Sequence, residues 1–175
     1  MKLDLNEMAN VTHKNNIDVG WWDDYNRPLT ETLMMVISEV SEALEGARKN
    51  IMDDHLPNRK MYEVELADAL IRIIDLGGRY GWSFRETIPS VAWTHSIPTR
   101  LFLIVNDIIL LRERSLDDNI YLSNFFYSKI ISNIYECARL DNLDLEGAIL
   151  EKLEYNKTRA DHKRENRAKP GGKKF

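Results

Sequence analysis

The sequence predicts an all-α protein built around a four-helix bundle. Several stretches of about 15 to 20 residues repeat their apolar side chains with the 3.6-residue period of an α-helix, and none alternates like a half-buried strand. Gly and Pro number only 8 and 5, too few for the many turns of a β-sandwich. At 175 residues, 43% of them hydrophobic, the chain suits one domain, 1–175, that buries an ordinary core.

The elements follow from where each apolar period begins and ends. Residues 1–28 are polar, so we expect them to be irregular, and Thr30 is expected to cap the first long helix. A short helical turn is expected at 83–88, and the third long helix is almost apolar all round, so it should be central. Five longer helices are predicted, at about 31–49, 60–79, 99–114, 121–140 and 145–160.

Composition excludes several classes of protein. The single cysteine, Cys137, rules out an internal disulfide and a cysteine-rich zinc site. No apolar run approaches the roughly 20 residues of a membrane span, and the polar N-terminus has no apolar signal core. We therefore expect a cytoplasmic protein with no membrane partner.

Charge is unevenly distributed along the chain. Residues 157–175 carry eight Lys/Arg and two Asp/Glu, a net charge of +6, so the remainder carries −10 within the total of −4. Such an acidic body is a poor surface for nucleic acid, so we do not expect nucleic acid to be a partner. The basic tail is either a solvated segment or a means of holding a small anion such as a triphosphate.

Two pairs of carboxylates have the spacing of a metal site. Glu39 and Glu42 lie in the first long helix, and Glu65 and Asp68 lie in the second. Three residues are close to one helical turn, so each pair projects from one face. Two antiparallel helices would bring four like charges together, which repel unless a divalent cation neutralises them. All-oxygen ligands favour Mg²⁺ or Mn²⁺; the alternative is that these groups form solvated helix faces.

The residue pattern of the second long helix predicts that its charged side chains are buried. Glu65, Asp68, Arg72 and Asp75 form one stripe with apolar residues on both sides. Buried carboxylates need a partner or a metal. We expect Arg72 to pair with Asp68 or Asp75, the acids nearest to it along the helix.

The helices contain a faint internal repeat. The first long helix aligns with the third at an offset of 68, and the second with the fourth at an offset of 61, which predicts a duplicated helical hairpin. The second copy is degenerate and cannot hold the same metal cluster, and Lys129 is expected to pair with Asp107. The positions that match Glu39, Glu42, Glu65 and Asp68 are Asp107, Leu110, Phe126 and Lys129.

At these motifs the sequence resembles the MazG-like nucleoside triphosphate pyrophosphohydrolases, an all-α family. Their E-x-x-E and E-x-x-D motifs stand here as SEVSEALE and ELADALIRIIDLGGRYG, with 22 residues between Glu42 and Glu65. The terminal segment, EKLEYNKTR followed by PGGKKF, is also similar, with Lys152, Asn156 and Arg159 on successive turns. The resemblance covers residues 28–88 and 140–175.

The sequence departs from the family pattern in two ways, one in the first motif and one in the domain organisation. Ser38 stands where many members have a second acid. The compact members have no counterpart of 98–149, and the fused arrangement is similar to that of the related dimeric dUTPases. The resemblance thus implies a catalytic hairpin at 28–88, a degenerate hairpin at 98–149 and a C-terminal helix with a basic tail at 150–175. A monomer with a pseudo-dimeric core and a homodimer both remain open.

The resemblance implies hydrolysis of a (deoxy)nucleoside triphosphate to the monophosphate and pyrophosphate, in nucleotide pool control. Mg²⁺, or Mn²⁺ in its place, would bind the four motif carboxylates. Glu39 or Glu42 would orient or deprotonate the attacking water. Lys152 and Arg159 would meet the pyrophosphate charge, and Asn156 would hydrogen-bond a phosphate oxygen or the sugar.

Base recognition and the breadth of specificity remain open. Trp21 and Trp22 precede the first long helix and either stack on a nucleobase or pack the end of the bundle. A narrower enzyme of the same superfamily, acting on dUTP or dCTP, is one alternative. A non-catalytic helical adaptor with structural carboxylates is the other.

Overall fold

The described part of the protein is helical, and the all-α prediction is confirmed. A computed structural model describes residues 3–24, 26–116, 119–159 and 164–167. No helix within these ranges is both long and apolar enough to cross a membrane. The helices are α1 (Leu5–Asp18), α2 (Leu29–Lys49), α3 (Met61–Tyr80), α4 (Ile97–Ser115), α5 (Ile120–Leu140), α6 (Leu145–Thr158) and the short α7 (Arg164–Arg167), with a 3-10 turn at Ser90–Trp93.

The five predicted helices correspond to α2 to α6, with differences at their ends. The Thr30 cap is wrong, because α2 begins at Leu29 after Pro28, whose fixed φ suits a helix start and whose side chain donates and accepts nothing. The turn expected at 83–88 is also wrong, and the only helical turn of that connection lies later, at Ser90–Trp93. The last of the five predicted helices, α6, ends at Thr158, and residues 160–163 and 168–175 of the basic tail lie outside the described residues.

The N-terminal segment contains a helix that was not predicted. The Asp4 carboxylate accepts hydrogen bonds from the backbone N–H groups of the first turn of α1. Only Leu5, Ala9 and Thr12 of α1 are buried, so its apolar stripe is short and includes a polar residue. The helix packs against α3, where a side chain at Gly78 would meet the Ala9 carbonyl oxygen at 2.5 Å. Close approach of two backbones thus stabilises a weakly patterned helix.

The core is a four-helix bundle made of the hairpins α2–α3 and α4–α5. Helix α3 is the central element, packed against α1, α2, α5 and α6. A side chain at Gly46 would meet the Tyr62 backbone nitrogen at 2.6 Å, so α2 approaches α3 closely there. The expectation that the third long helix is central is wrong. Only one face of α4 is buried, and Phe102 on its other side is 69% exposed.

The second hairpin carries its own interhelical polar contact. The Lys129 Nζ atom of α5 lies 3.2 Å from the Asp107 carboxylate of α4, as the repeat predicts. The Asn133 amide also donates a 2.7 Å hydrogen bond to Asp107. Asp107 is buried, and these two partners compensate its charge. The Lys129–Asp107 pair thus links α4 and α5 through one carboxylate and one cation.

Candidate functional site

Three carboxylates from two helices converge at the middle of the first hairpin. Glu39 and Glu42 of α2 and Glu65 of α3 each offer an oxygen atom, and these oxygens lie within 4.8 Å of one another. Glu39 and Glu65 are buried, whereas Glu42 faces solvent. Two ligands on opposite sides of one Mg²⁺ ion are about 4.2 Å apart. Shifts of about half an ångström would therefore suit one ion, and the oxygen-only donor set fits a hard cation.

Two cations neutralise part of this charge from within the protein. The Arg72 Nε atom donates a 2.6 Å hydrogen bond to Glu39, and the Lys152 Nζ atom of α6 lies 2.7 Å from Asp68. The expectation that Arg72 pairs with Asp68 or Asp75 is therefore wrong. The facing helix α2 brings Glu39 to Arg72, and α6 brings Lys152 to Asp68. Asp68, predicted as the fourth metal ligand, thus lies beside the three converging carboxylates and already has a cationic partner.

Burial and mutual repulsion change the protonation of this cluster. Burial, together with the neighbouring Asp68 and Glu39 carboxylates, raises the pKa of Glu65 to about 9. Burial raises the pKa of Asp68 to about 6, although Lys152 opposes the change. Burial also lowers the pKa of Lys152, but the nearby carboxylates outweigh that effect and leave it above its usual value. Near neutral pH, Glu65 is therefore protonated unless a cation replaces its proton.

The cluster opens into a cavity of about 420 Å³ that follows α3. Its lining residues on α3 run from Glu65 to Leu76, and the step of ten residues from Glu65 to Asp75 spans about 15 Å. All nine residues predicted for the site line this cavity. They are Trp21, Trp22, Glu39, Glu42, Glu65, Asp68, Lys152, Asn156 and Arg159.

The α6 end of the cavity is cationic and contains an unsatisfied polar atom. Lys152, Asn156 and Arg159 line it from one side. The Asn156 Oδ1 atom is buried and has no hydrogen-bond partner in the described part of the chain. Leaving a buried acceptor unpaired costs about 1–3 kcal/mol, so a ligand that donates a hydrogen bond here would be stabilised. The Arg159 guanidinium lies 5.7 Å from the centre of the Tyr155 ring.

The α1 end of the cavity separates the roles of the two tryptophans. The Trp22 indole N–H donates to both Asp75 carboxylate oxygens at 3.1 Å, and Trp22 is only 8% exposed. The Asn16 amide and the His13 ring complete the shell of Asp75, at 2.8 and 2.7 Å. Trp22 is therefore fixed as part of the wall, which supports the packing alternative for this residue. Trp21 is half-buried and lines the cavity beside it.

Ten residues that line the cavity are outside the nine predicted for the site, among them His55, Asn16 and Arg27. His55 belongs to the α2–α3 loop, where the buried Asp53 carboxylate accepts hydrogen bonds from the His55 and Leu56 backbone N–H groups. Its ring lies 5.1 Å from that of Tyr155. Asn16 and Arg27 line the other end. The Asx-turn at Asp53 is a local sequence signal, but the partners of Asn16 and Arg27 are far away in sequence or lie in irregular chain.

Comparisons with protein-family models, with curated proteins and with solved structures found no match. A function must therefore be inferred from the chemistry of the residues that line the cavity.

Proposed function

We propose that the protein is a Mg²⁺-dependent nucleoside triphosphate pyrophosphohydrolase of the MazG-like kind. The observation that carries the proposal is the convergence of Glu39, Glu42 and Glu65 within 4.8 Å, in the same cavity as Lys152 and Arg159. Acidic and basic groups side by side suit a substrate that brings both a divalent cation and phosphate oxygens. A triphosphate is such a substrate.

The three converging carboxylates would hold the cation, with Asp68 available once Lys152 moves. A bound divalent cation supplies Lewis-acid chemistry, neutralising phosphate charge and acidifying water. Glu42 is exposed and accepts a hydrogen bond from the Ser38 hydroxyl at 3.2 Å. Glu42, or Glu39 behind it, would orient the attacking water and take its proton, so that water attacks the α-phosphorus and pyrophosphate leaves.

The two ends of the cavity support one orientation of the substrate. Lys152 and Arg159 would meet the negative charge of the leaving pyrophosphate. The unpaired Asn156 Oδ1 would accept from a sugar hydroxyl, and the amide of the same side chain would donate to a phosphate oxygen. At the other end of the cavity, Trp21 beside the fixed Trp22 would offer an aromatic surface to the base.

Product analysis tests the reaction directly. The eight common NTPs and dNTPs are incubated with Mg²⁺, and with EDTA as control, and the products are resolved. Monophosphate plus pyrophosphate, lost with EDTA, is the expected result, and strong preference for dUTP or dCTP would select the narrower enzyme. Diphosphate plus orthophosphate would refute the mechanism. Glu65→Gln and Asp68→Asn should each abolish turnover while the fold remains. Near-normal activity in Glu65→Gln would refute the metal assignment, and near-normal activity in Asp68→Asn would refute a part for Asp68 in it.

A non-catalytic adaptor is the second candidate, and two contacts favour it. The pairs Arg72–Glu39 and Lys152–Asp68 compensate two of the four motif carboxylates without any ligand. An adaptor would gain no thermal stability from Mg²⁺, whereas an occupied site stabilises the fold by mass action. Absence of both turnover and a Mg²⁺-dependent melting shift would select the adaptor.

A further inference from the structure

Arg72 occupies a special position among the cations of the cavity. It reaches from α3 across to α2 and pairs with Glu39, one of the three converging carboxylates. The Glu39 side chain is 10% exposed, whereas that of Arg72 is 40% exposed. The arginine therefore covers a buried carboxylate from the solvent side, where a ligand must enter. Lys152 differs, because its side chain is only 3% exposed and its partner is Asp68.

We propose, building on the proposed function, that Arg72 is an exchangeable counter-ion: it pairs with Glu39 when the site holds no metal, and binds the substrate's phosphates once a metal takes Glu39. A divalent cation and the Arg72 guanidinium compete for the same carboxylate. In this exchange, metal binding without substrate breaks the 2.6 Å contact and leaves Arg72 without an anionic partner. When the metal arrives with a triphosphate, the phosphate oxygens replace Glu39 as that partner.

This exchange makes the two ligands cooperative. Metal binding liberates Arg72 for phosphate, and phosphate keeps Arg72 away from Glu39, so each ligand increases the affinity of the other by the same factor. The protein would then bind the metal–triphosphate complex in preference to the free metal. A charge-assisted pair at this distance supports a coupling of about 10-fold.

Removing the arginine should therefore strengthen metal binding. In calorimetric titrations of the intact chain, we expect Arg72→Gln to bind Mn²⁺ alone about 10-fold more tightly than the unaltered protein. In the presence of Mn²⁺, we expect Arg72→Gln to bind inorganic tripolyphosphate about 10-fold more weakly than the unaltered protein does. Arg72→Lys should restore part of both affinities. Arg139→Gln is the matched control, because Arg139 pairs with Glu136 on an exposed surface, and it should leave both affinities unchanged.

Glu65→Gln distinguishes failure of this inference from failure of the proposed function. If Mn²⁺ binds the unaltered protein, is lost in Glu65→Gln and binds Arg72→Gln no more tightly, the exchange is wrong although the metal site exists. Weaker Mn²⁺ binding in Arg72→Gln overturns the exchange in the same way. If Mn²⁺ does not bind the unaltered protein, or binds Glu65→Gln equally well, both the exchange and the metal site are wrong. Circular dichroism of each variant establishes that the helices are intact.

Discussion

Replacing Glu65 by glutamine should stabilise the metal-free protein. The Glu65 side chain is buried on α3 beside two other carboxylates, and its pKa is raised from 4.5 to about 9. Above the usual pKa, the unfolded chain releases this proton while the folded protein retains it. Stability is therefore unaffected below about pH 4.5 and falls as pH rises from there towards 9. Glutamine has nearly the same shape and no proton to retain.

The size of the effect follows from the width of that pH window. Each pH unit above the usual pKa of 4.5 costs about 1.36 kcal/mol of stability. At a pH of about 7.5 the penalty is therefore at most about 4 kcal/mol. We expect Glu65→Gln to raise the free energy of unfolding by about 2–4 kcal/mol there, and by less than about 1 kcal/mol at pH 5. For a chain of this length, that corresponds to a gain in melting temperature of about 5–10 °C near pH 7.5.

Urea unfolding with EDTA present, repeated at several pH values, measures this difference. Glu154→Gln is the control, since Glu154 is an exposed residue of α6 and its replacement should change stability little at any pH. With Mg²⁺ added, the unaltered protein should gain stability and Glu65→Gln should not. A Glu65→Gln variant that is less stable than the parent, or whose difference does not depend on pH, would refute the electrostatic reasoning.

Three further replacements test the contacts around the cavity. Lys152→Met leaves the Asp68 charge without its partner, and we expect a loss of about 3–5 kcal/mol in urea unfolding near pH 8, together with loss of turnover. Arg59 joins the α2–α3 loop to α6 through several carboxylates, so Arg59→Gln should loosen α6 and reduce triphosphate affinity, measured by calorimetry, more than Mn²⁺ affinity. Lys129→Met should cost stability by removing a partner of Asp107, yet leave the Mg²⁺-dependent melting shift unchanged; loss of that shift would contradict the separation of the two hairpins.

The helices that sequence periodicity found are those with a continuous apolar stripe. Helices α2 and α3 bury such stripes and were predicted within about two residues at each end. Helix α1 was missed because it buries only Leu5, Ala9 and Thr12, too few to give a clear period. The position of α4 was wrong for the opposite reason. Its apolar residues exceed one buried face, and composition alone does not say which of them, such as Phe102, stay exposed.

The site shows a similar division between what lies within a helix and what lies between helices. Spacing along one helix correctly predicts that Glu39 and Glu42 share a face, because helix geometry fixes it. The partner of Arg72 could not be obtained in this way. Acids on its own helix are nearest in sequence, but Glu39 on the facing helix is the one that it contacts. Such a choice depends on the rotation of two packed helices, which one sequence does not specify.

The balance of charge in the two hairpins explains why only the first resembles a binding site. In the second, Asp107 has Lys129 as a cationic partner, so its charge is compensated within the fold. In the first, Arg72 and Lys152 compensate only two of four motif carboxylates, and no described cation pairs with Glu42 or Glu65. A fold under selection for stability alone gains nothing from two surplus carboxylates, one of them buried. Their presence is accounted for if a cation from solution completes the charge.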